Sequence, residues 1–268
     1  MTVTAPLTQS NLTNNATFAA EARALYDREH TGPLARAGGD FLGYLPLVTY
    51  SNVASALHQQ AVSQNGSSFL APGTPQEVTA GYNAIHGVLT ERLAAPDSAL
   101  VELSWSDGGI GLSLQAPFSR GSIRAASSSM LDPPIVDPRV LHNTLDVSFL
   151  VEGIKFARIV SRTDAISELR PVEVTPGTNV TSEEDLASFV RGSSSPAWHL
   201  AGSCKIGRRE EGGVVDEQLR VYGVNNLRVV DASIMPFLPA SHPMTTVYSV
   251  AEKVYLISNF DISASSLT

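Results

Sequence analysis

The chain has a single cysteine, Cys204, two tryptophans and more acid than base, and each scarcity excludes a class of protein. One thiol closes no internal disulfide and builds no cysteine-rich metal site. With 18 Lys and Arg against 26 Asp and Glu, the net charge is -8 and the pI is near 5.2. That balance argues against a nucleic-acid or anionic-membrane partner, since both need clustered cations. No apolar run approaches the roughly 20 residues needed to span a bilayer. Met1 is followed by neither the basic region nor the apolar core of a secretory leader. The expectation is a soluble protein, cytoplasmic by default. Four N-x-S/T sequons, beginning at Asn11, Asn15, Asn65 and Asn179, would fit a secreted ancestry but are inert without a leader.

What is present is enough apolar material, 43% of 268 residues, for one large domain or two small ones. Phe18, Ala22, Leu25 and Tyr26 share one helical face, and the following stretch, HTGPLARAGGDFLGYLPL, reads as an apolar loop able to line a pocket. Val78, Tyr82, Ile85, Leu89 and Leu93 predict a second helix with Pro75 near its first turn. The period then changes to two. ALVELSWS and IGLSLQA alternate around the turn Asp107-Gly108-Gly109, and RGSIRAAS follows as a third strand of the same antiparallel sheet. A helix from Asp146 to Arg162 buries Val147, Leu150, Val151, Ile154 and Ala157. Thr181 and Glu184 form a capping box for a short helix carrying Leu186, Phe189 and Val190.

The C-terminal region reads differently. NLRVVDAS is apolar on both faces, the pattern of a strand inside a parallel sheet. A proline-rich turn, MPFLPASHP, leads into a helix from Pro243 to about Asn259 with Val247, Val250, Ala251, Val254 and Ile257 on its core stripe. Pro243 at the first helical position makes His242 the N-cap. The fold class is α+β: an antiparallel sheet flanked by helices over residues 1–225, plus a strand–helix piece over 226–268 packed with it as one unit.

Two segments carry potential chemistry: WHLAGSCKIG from Trp198, followed by GGVVDEQLRVYGVNNLRVVDAS, and PASHPMTTVY from Pro239. Together with RGSIRAASSSMLDPPIVDPRVLHNTLDVSFLVEGIKFAR and the opening NNATFAAEARALYDREHTGPLA, they resemble the C-terminal, substrate-side half of the glucose–methanol–choline (GMC) flavin oxidoreductases, in their aryl-alcohol-oxidase-like branch. The resemblance covers almost the whole chain. It implies that His199 is the general base toward a substrate hydroxyl and that His242 is the second histidine, bonded to the substrate oxygen. It also implies that Asp231, Ala232, Met244 and Thr245 face a flavin. The chemistry suits imidazole, which titrates near neutral pH and accepts a proton as hydride leaves. The positive end of the last helix would face the flavin's developing negative charge.

Other residues receive plainer readings. Phe41, Tyr44, Phe118 and Trp198 are expected as walls of a pocket for a hydrophobic small molecule. His58 and His86 are structural, His142 is a surface residue and Cys204 is a packed small hydrophobe. Asp216 belongs to a turn, and Glu210 and Glu211 are solvated.

The family's G-x-G-x-x-G dinucleotide turn does not occur in this sequence; neither Gly38-Gly39 nor Gly108-Gly109 has the required strand before it and helix after it. The chain alone is therefore expected to bind no cofactor, with FAD entering only if a partner supplies the nucleotide-binding half. Three functions remain open. The first is flavin-free acid–base chemistry by the histidine pair, such as isomerisation, dehydration or cyclisation of a hydrophobic metabolite. The second is one half of a split FAD-dependent alcohol oxidase or dehydrogenase. The third is a non-catalytic remnant or binding module. An unpaired two-faced strand would also invite a homodimer or a covering FAD-domain chain.

Overall fold

Alternation in ALVELSWS sends Val101 and Leu103 to one side of a strand and Glu102 and Ser104 to the other, and the sheet is organised around that division. A computed structural model describes residues 2–3, 11–35, 41–106, 109–168 and 171–265. Its strands are β1 (Thr2–Val3), β2 (Phe41–Pro46), β3 (Ala99–Ser106), β4 (Gly109–Leu114), β5 (Ser122–Arg124), β6 (Ile135–Asp137) and β7 (Pro171–Val172). The helices are α1 (Asn11–Asn14), α2 (Ala16–Glu29), α3 (Leu47–Tyr50), α4 (Ala54–Ser63), α5 (Gln76–Leu93), α6 (Thr144–Val160), α7 (Asp164–Ser167), α8 (Glu183–Ser193) and α9 (Met244–Ser265). An antiparallel sheet runs in the order β2-β3-β4-β1-β7, and β5 and β6 form a separate ribbon. The fold is an α+β arrangement of antiparallel sheet and flanking helices.

In the register Leu45, Val101 and Leu114 lie side by side, as do Gly43, Leu103 and Leu112. This face takes the helices. Leu45, Val101, Leu112 and Leu114 pack with Leu57 and Ala61 of α4, Leu89 and Leu93 of α5, and Leu145 and Phe149 of α6. A second cluster joins Val147, Leu150 and Val151 of α6 to Leu186 and Val190 of α8. The opposite face presents Tyr44, Glu102 and Ser113, again side by side. A third cluster of Val215, Leu219 and Ile234, with Val250 and Val254 of α9 against it, draws on both sides of residue 225.

The start of α6 is fixed by buried polar groups. Asn143, fully buried, caps the helix by accepting from the Leu145 amide at 3.0 Å. It also pairs in both directions with Gln64, whose Oε1 lies 3.2 Å from Nε2 of His86. Asp146 accepts from the amides of Phe118 and Ser119 at 2.7 and 2.8 Å and so folds the chain leaving β4 onto the helix.

Several expectations change. The loop expected before Leu47 contains β2, which pairs with β3 along its length; Gly43 and Pro46 had obscured its strand character. The segment from Arg120 to Ser127 does not join the main sheet. Its strand β5 pairs with β6, and Gly121 sits so close to the Asp137 carbonyl that a Cβ would approach it to 2.4 Å. The cap of α8 is Ser182, not Thr181, with Asp185 as its partner. Leu227 to Asp231 is not a parallel strand. Among the described residues it has no parallel neighbour, and its bonds run to Leu219 and Val221 on the preceding turn, with one antiparallel bridge at Arg228. In α9 the first helical bond is accepted by the Pro243 carbonyl, so Pro243 takes the cap position and His242 precedes it. Of that helix's expected stripe, Ala251 is exposed, and the side chain of Ile257 falls outside the described set. Asp107-Gly108 and Gly38-Gly39 also lie outside the described residues.

Asn143→Ala removes a cap and strands the Gln64 amide, and is expected to cost about 1–3 kcal/mol in denaturant unfolding. Burial lowers the His86 imidazole below its ordinary value. The unfolded chain therefore takes up this proton first as pH falls. Stability from the neutral ring is complete above the unfolded value, about 6.5, and declines as pH falls toward the lowered folded one. Unfolding measured on both sides of that value should show a shallower acid-side loss in His86→Gln than in the parent chain.

Candidate active site

A strained turn introduces the first histidine. Trp198 has φ +60°, a conformation a bulky residue adopts only where its surroundings impose it, and His199 follows directly. The backbone then turns through Gly202 at φ +86°, where a side chain would meet the Met235 carbonyl at 3.1 Å. From there it runs beside the Ala232–Ile234 turn, with the amides of Cys204 and Ile206 donating to Ser233 and Ile234 at 2.9 and 2.8 Å. This short ladder gives the G-S-C-K-I stretch its role. It ties the His199 loop to the segment that leads, eight residues on from Ile234, to His242.

The two imidazoles face each other with ring centroids 5.1 Å apart at 52°. Nε2 of His242 lies 3.1 Å from Oε2 of Glu102, whose side chain is only 7% exposed although it points away from the helix-covered face. The same carboxylate accepts from Gln115 at 3.4 Å and stands opposite Tyr44 in the β2–β3 register. Beside His199, around the edge of β4, opens a cavity of about 430 Å³. Leu112, Leu114, Leu150, Ile154 and Phe189 form its walls, with Trp198 and Leu200 at its rim. Such a lining admits an apolar or aromatic body and puts its polar end at the imidazole. The start of α9 is exposed at Met244, and the amides of residues 244–246 precede the first helical donor, Val247, so they have no acceptor within the helix. No group of three or more His, Cys, Asp or Glu able to hold a metal occurs among the described residues.

The profile of the GMC oxidoreductase family matches residues 117–251, half of the chain, and the chain belongs to that family. It is 38% identical over 254 residues to dehydrogenase pkfF of Emericella nidulans, covering 92% of this chain and 39% of that protein. It is 33% identical over 259 residues to patulin synthase of Aspergillus clavatus, covering 92% and 38%. Among solved structures, an FAD-dependent oxidoreductase from Chaetomium thermophilum superposes with a TM-score of 0.90 at 27% identity, over 98% of this chain and 46% of that one. A fungal aryl-alcohol oxidase superposes at 0.80 with 31% identity, over 94% and 44%. The chain thus spans less than half the length of each.

The structure brings His199 and His242 together and puts Trp198 at the cavity rim, whereas Tyr44, expected as a pocket wall, stands beside Glu102 on the other face of the sheet and does not line the cavity. Ala232 lies on the turn that holds the His199 loop, while Met244 and Thr245 open α9. Asp231 turns its carboxylate onto its own turn, accepting from the Ser233 amide and hydroxyl. Two further expected pocket walls also stand elsewhere. Phe118 is fully buried in the main core, edge-on to His86, because Asp146 draws its backbone inward. Phe41 begins β2 in step with Gly43 and Leu45, on the side away from Tyr44. Glu102 is the residue that sequence reasoning passed over. Its signal was a lone carboxylate at a position where the neighbouring polar residues, Ser104 and Ser106, are small.

Filling the cavity should separate it from the imidazoles. In NMR titrations with benzyl alcohol, the Leu112 methyl and His199 ring signals are expected to shift together. Ile154→Trp should weaken that binding by about tenfold, the equivalent of ~1.4 kcal/mol.

Proposed function

We propose that this chain is the substrate-side half of a flavin-dependent alcohol oxidoreductase acting on an apolar or aromatic alcohol. The observation that carries the reading is the His199–His242 pair, set between an apolar cavity and the free amides at the start of α9. The residues present fit a flavin: those amides and the dipole of a 22-residue helix suit an electron-rich ring system, with Met244 and Thr245 at the contact. When bound there, the flavin supplies an acceptor for the hydride leaving the substrate carbon. His199 takes the hydroxyl proton on a ring nitrogen, and His242 holds the oxygen in line through a hydrogen bond. Glu102 keeps His242 from turning, and the cavity walls exclude water from the apolar body.

Exposed apolar side chains support a partner. Trp198, Leu200, Met244, Tyr248 and Tyr255 are 83, 73, 67, 73 and 64% exposed, and large apolar groups left in water suit cover by another folded unit. We assign that cover to a nucleotide-binding half carrying the FAD. A second reading, flavin-free acid–base catalysis, is favoured by one observation: both imidazoles, the orienting carboxylate and the cavity all come from this chain.

Native mass spectrometry of the protein isolated from the cells that make it decides between them. FAD is expected in the assembly, and His199→Ala should lower alcohol oxidation by about 10²–10⁴-fold with the flavin absorbance unchanged. A colourless, flavin-free protein overturns the redox reading. Turnover that persists without flavin and falls in both His199→Ala and His242→Ala would establish the second.

A further inference from the structure

We propose that Gly153 is a specificity-determining residue: its missing side chain lets Leu112 lie against α6, and this sets how large an alcohol the cavity beside His199 admits. This rests on the reading of that cavity as the seat of the substrate's apolar body. Gly153 is buried in the interior of α6, where glycine is the least favourable residue apart from proline. Its φ is not positive, so the backbone does not call for glycine. The neighbouring side chain does. A Cβ at this position would stand 3.1 and 3.4 Å from the two methyls of Leu112 and 3.8 Å from its Cγ.

Leu112 stands where core and cavity meet. It packs against the cluster shared by α4, α5 and α6 and against the cluster of α6 and α8. It also lines the cavity together with Leu150 and Ile154, the helical neighbours of Gly153. A methyl group added at Gly153 must push Leu112 by a few tenths of an ångström. Toward the sheet interior stands Leu103, its buried partner across β3 and β4, and close-packed side chains do not yield. On the outer side β4 meets no strand at this position among the described residues, and the cavity offers space. Leu112 therefore moves into the cavity and narrows it. A one-ring alcohol can shift to accommodate this within about 430 Å³. A two-ring alcohol anchored at His199 has less freedom and loses that room outright.

NMR titrations of the chain with benzyl alcohol and with naphthylmethanol test this without flavin or turnover. Gly153→Ala keeps α6, because alanine favours a helix. It is expected to weaken naphthylmethanol by about tenfold, the low end of what one methylene decides in an apolar pocket, and benzyl alcohol by less than about twofold. Leu112→Val widens the cavity without touching α6 and should move the ratio of the two affinities the other way. Combining Gly153→Ala with Leu112→Val should return that ratio to within about twofold of the parent, since the shorter side chain removes the conflict. Equal weakening of both alcohols, an unchanged ratio in Gly153→Ala, or no recovery in the double variant overturns the proposal. A parent chain that binds neither alcohol would fail the reading of the cavity and this proposal together. Binding of both with an unmoved ratio would fail this proposal alone, and a protein found to carry no flavin would fail only the redox reading.

Discussion

The contact between Glu102 and His242 joins two parts of the chain 140 residues apart, and the site exists because of it. Glu102 belongs to the middle of three long strands, where its neighbours fix it, whereas His242 sits in a proline-rich segment just ahead of α9. A carboxylate removed from water needs partners, and Gln115 at 3.4 Å and His242 at 3.1 Å supply them from two different segments. The ladder between Cys204–Ile206 and Ser233–Ile234 brings His199 to the same place by backbone bonds alone. One imidazole is therefore placed by main chain and the other by a buried acid. Neither depends on the other for its position.

This division reflects the two faces of the sheet. The face formed by Leu45, Val101, Leu112 and Leu114 is satisfied by α4, α5 and α6, and it accounts for most of the core. The other face is polar at Tyr44, Glu102, Ser104 and Ser113 and meets the segment carrying His242 at Glu102. An antiparallel sheet tolerates that asymmetry because alternate residues answer to different surroundings. Function can then change on one face without disturbing packing on the other. The third cluster, around Val215 and Ile234, holds the neighbouring turns and Val250 and Val254 of α9 as a smaller unit.

Periodicity made much of this legible. The alternating strands, the α6 stripe and the α5 stripe all follow from residue spacing, and the two histidines stood out through their long flanking motifs. The failures have physical causes. β2 mixes Gly and Pro with apolar residues, so only its pairing with β3 reveals it. Leu227 to Asp231 carries the pattern of a buried parallel strand, but a strand is a property of its neighbours as well as of its residues, and here it bonds back to the preceding turn. Phe118 could not be told from a pocket residue, because what buries it is Asp146, 28 positions away. Glu102 was hidden for the opposite reason: an acid at a polar position of an alternating strand looks solvated until its cover is known.

The placement of the cavity follows from an incomplete edge. β4 is paired with β3 along its length but with β1 only at Gly109, so from Leu112 to Leu114 its outer side meets no strand among the described residues. An open edge of that kind is commonly covered by other chain segments. Here the cover is the exposed stretch from Ser193 to Trp198, together with Val140 and Leu141, and it spans the gap without filling it. Leu141 and Trp198, on the two sides of that cover, both have positive φ, which marks the path as imposed by its surroundings. The cavity is thus shaped largely by residues other than the histidines, with His199 itself at its wall. In the proposed reading, the choice of alcohol would vary with the stretch from Ser193 to Ala197 and α8, while the proton chemistry stays with His199, His242 and the buried Glu102.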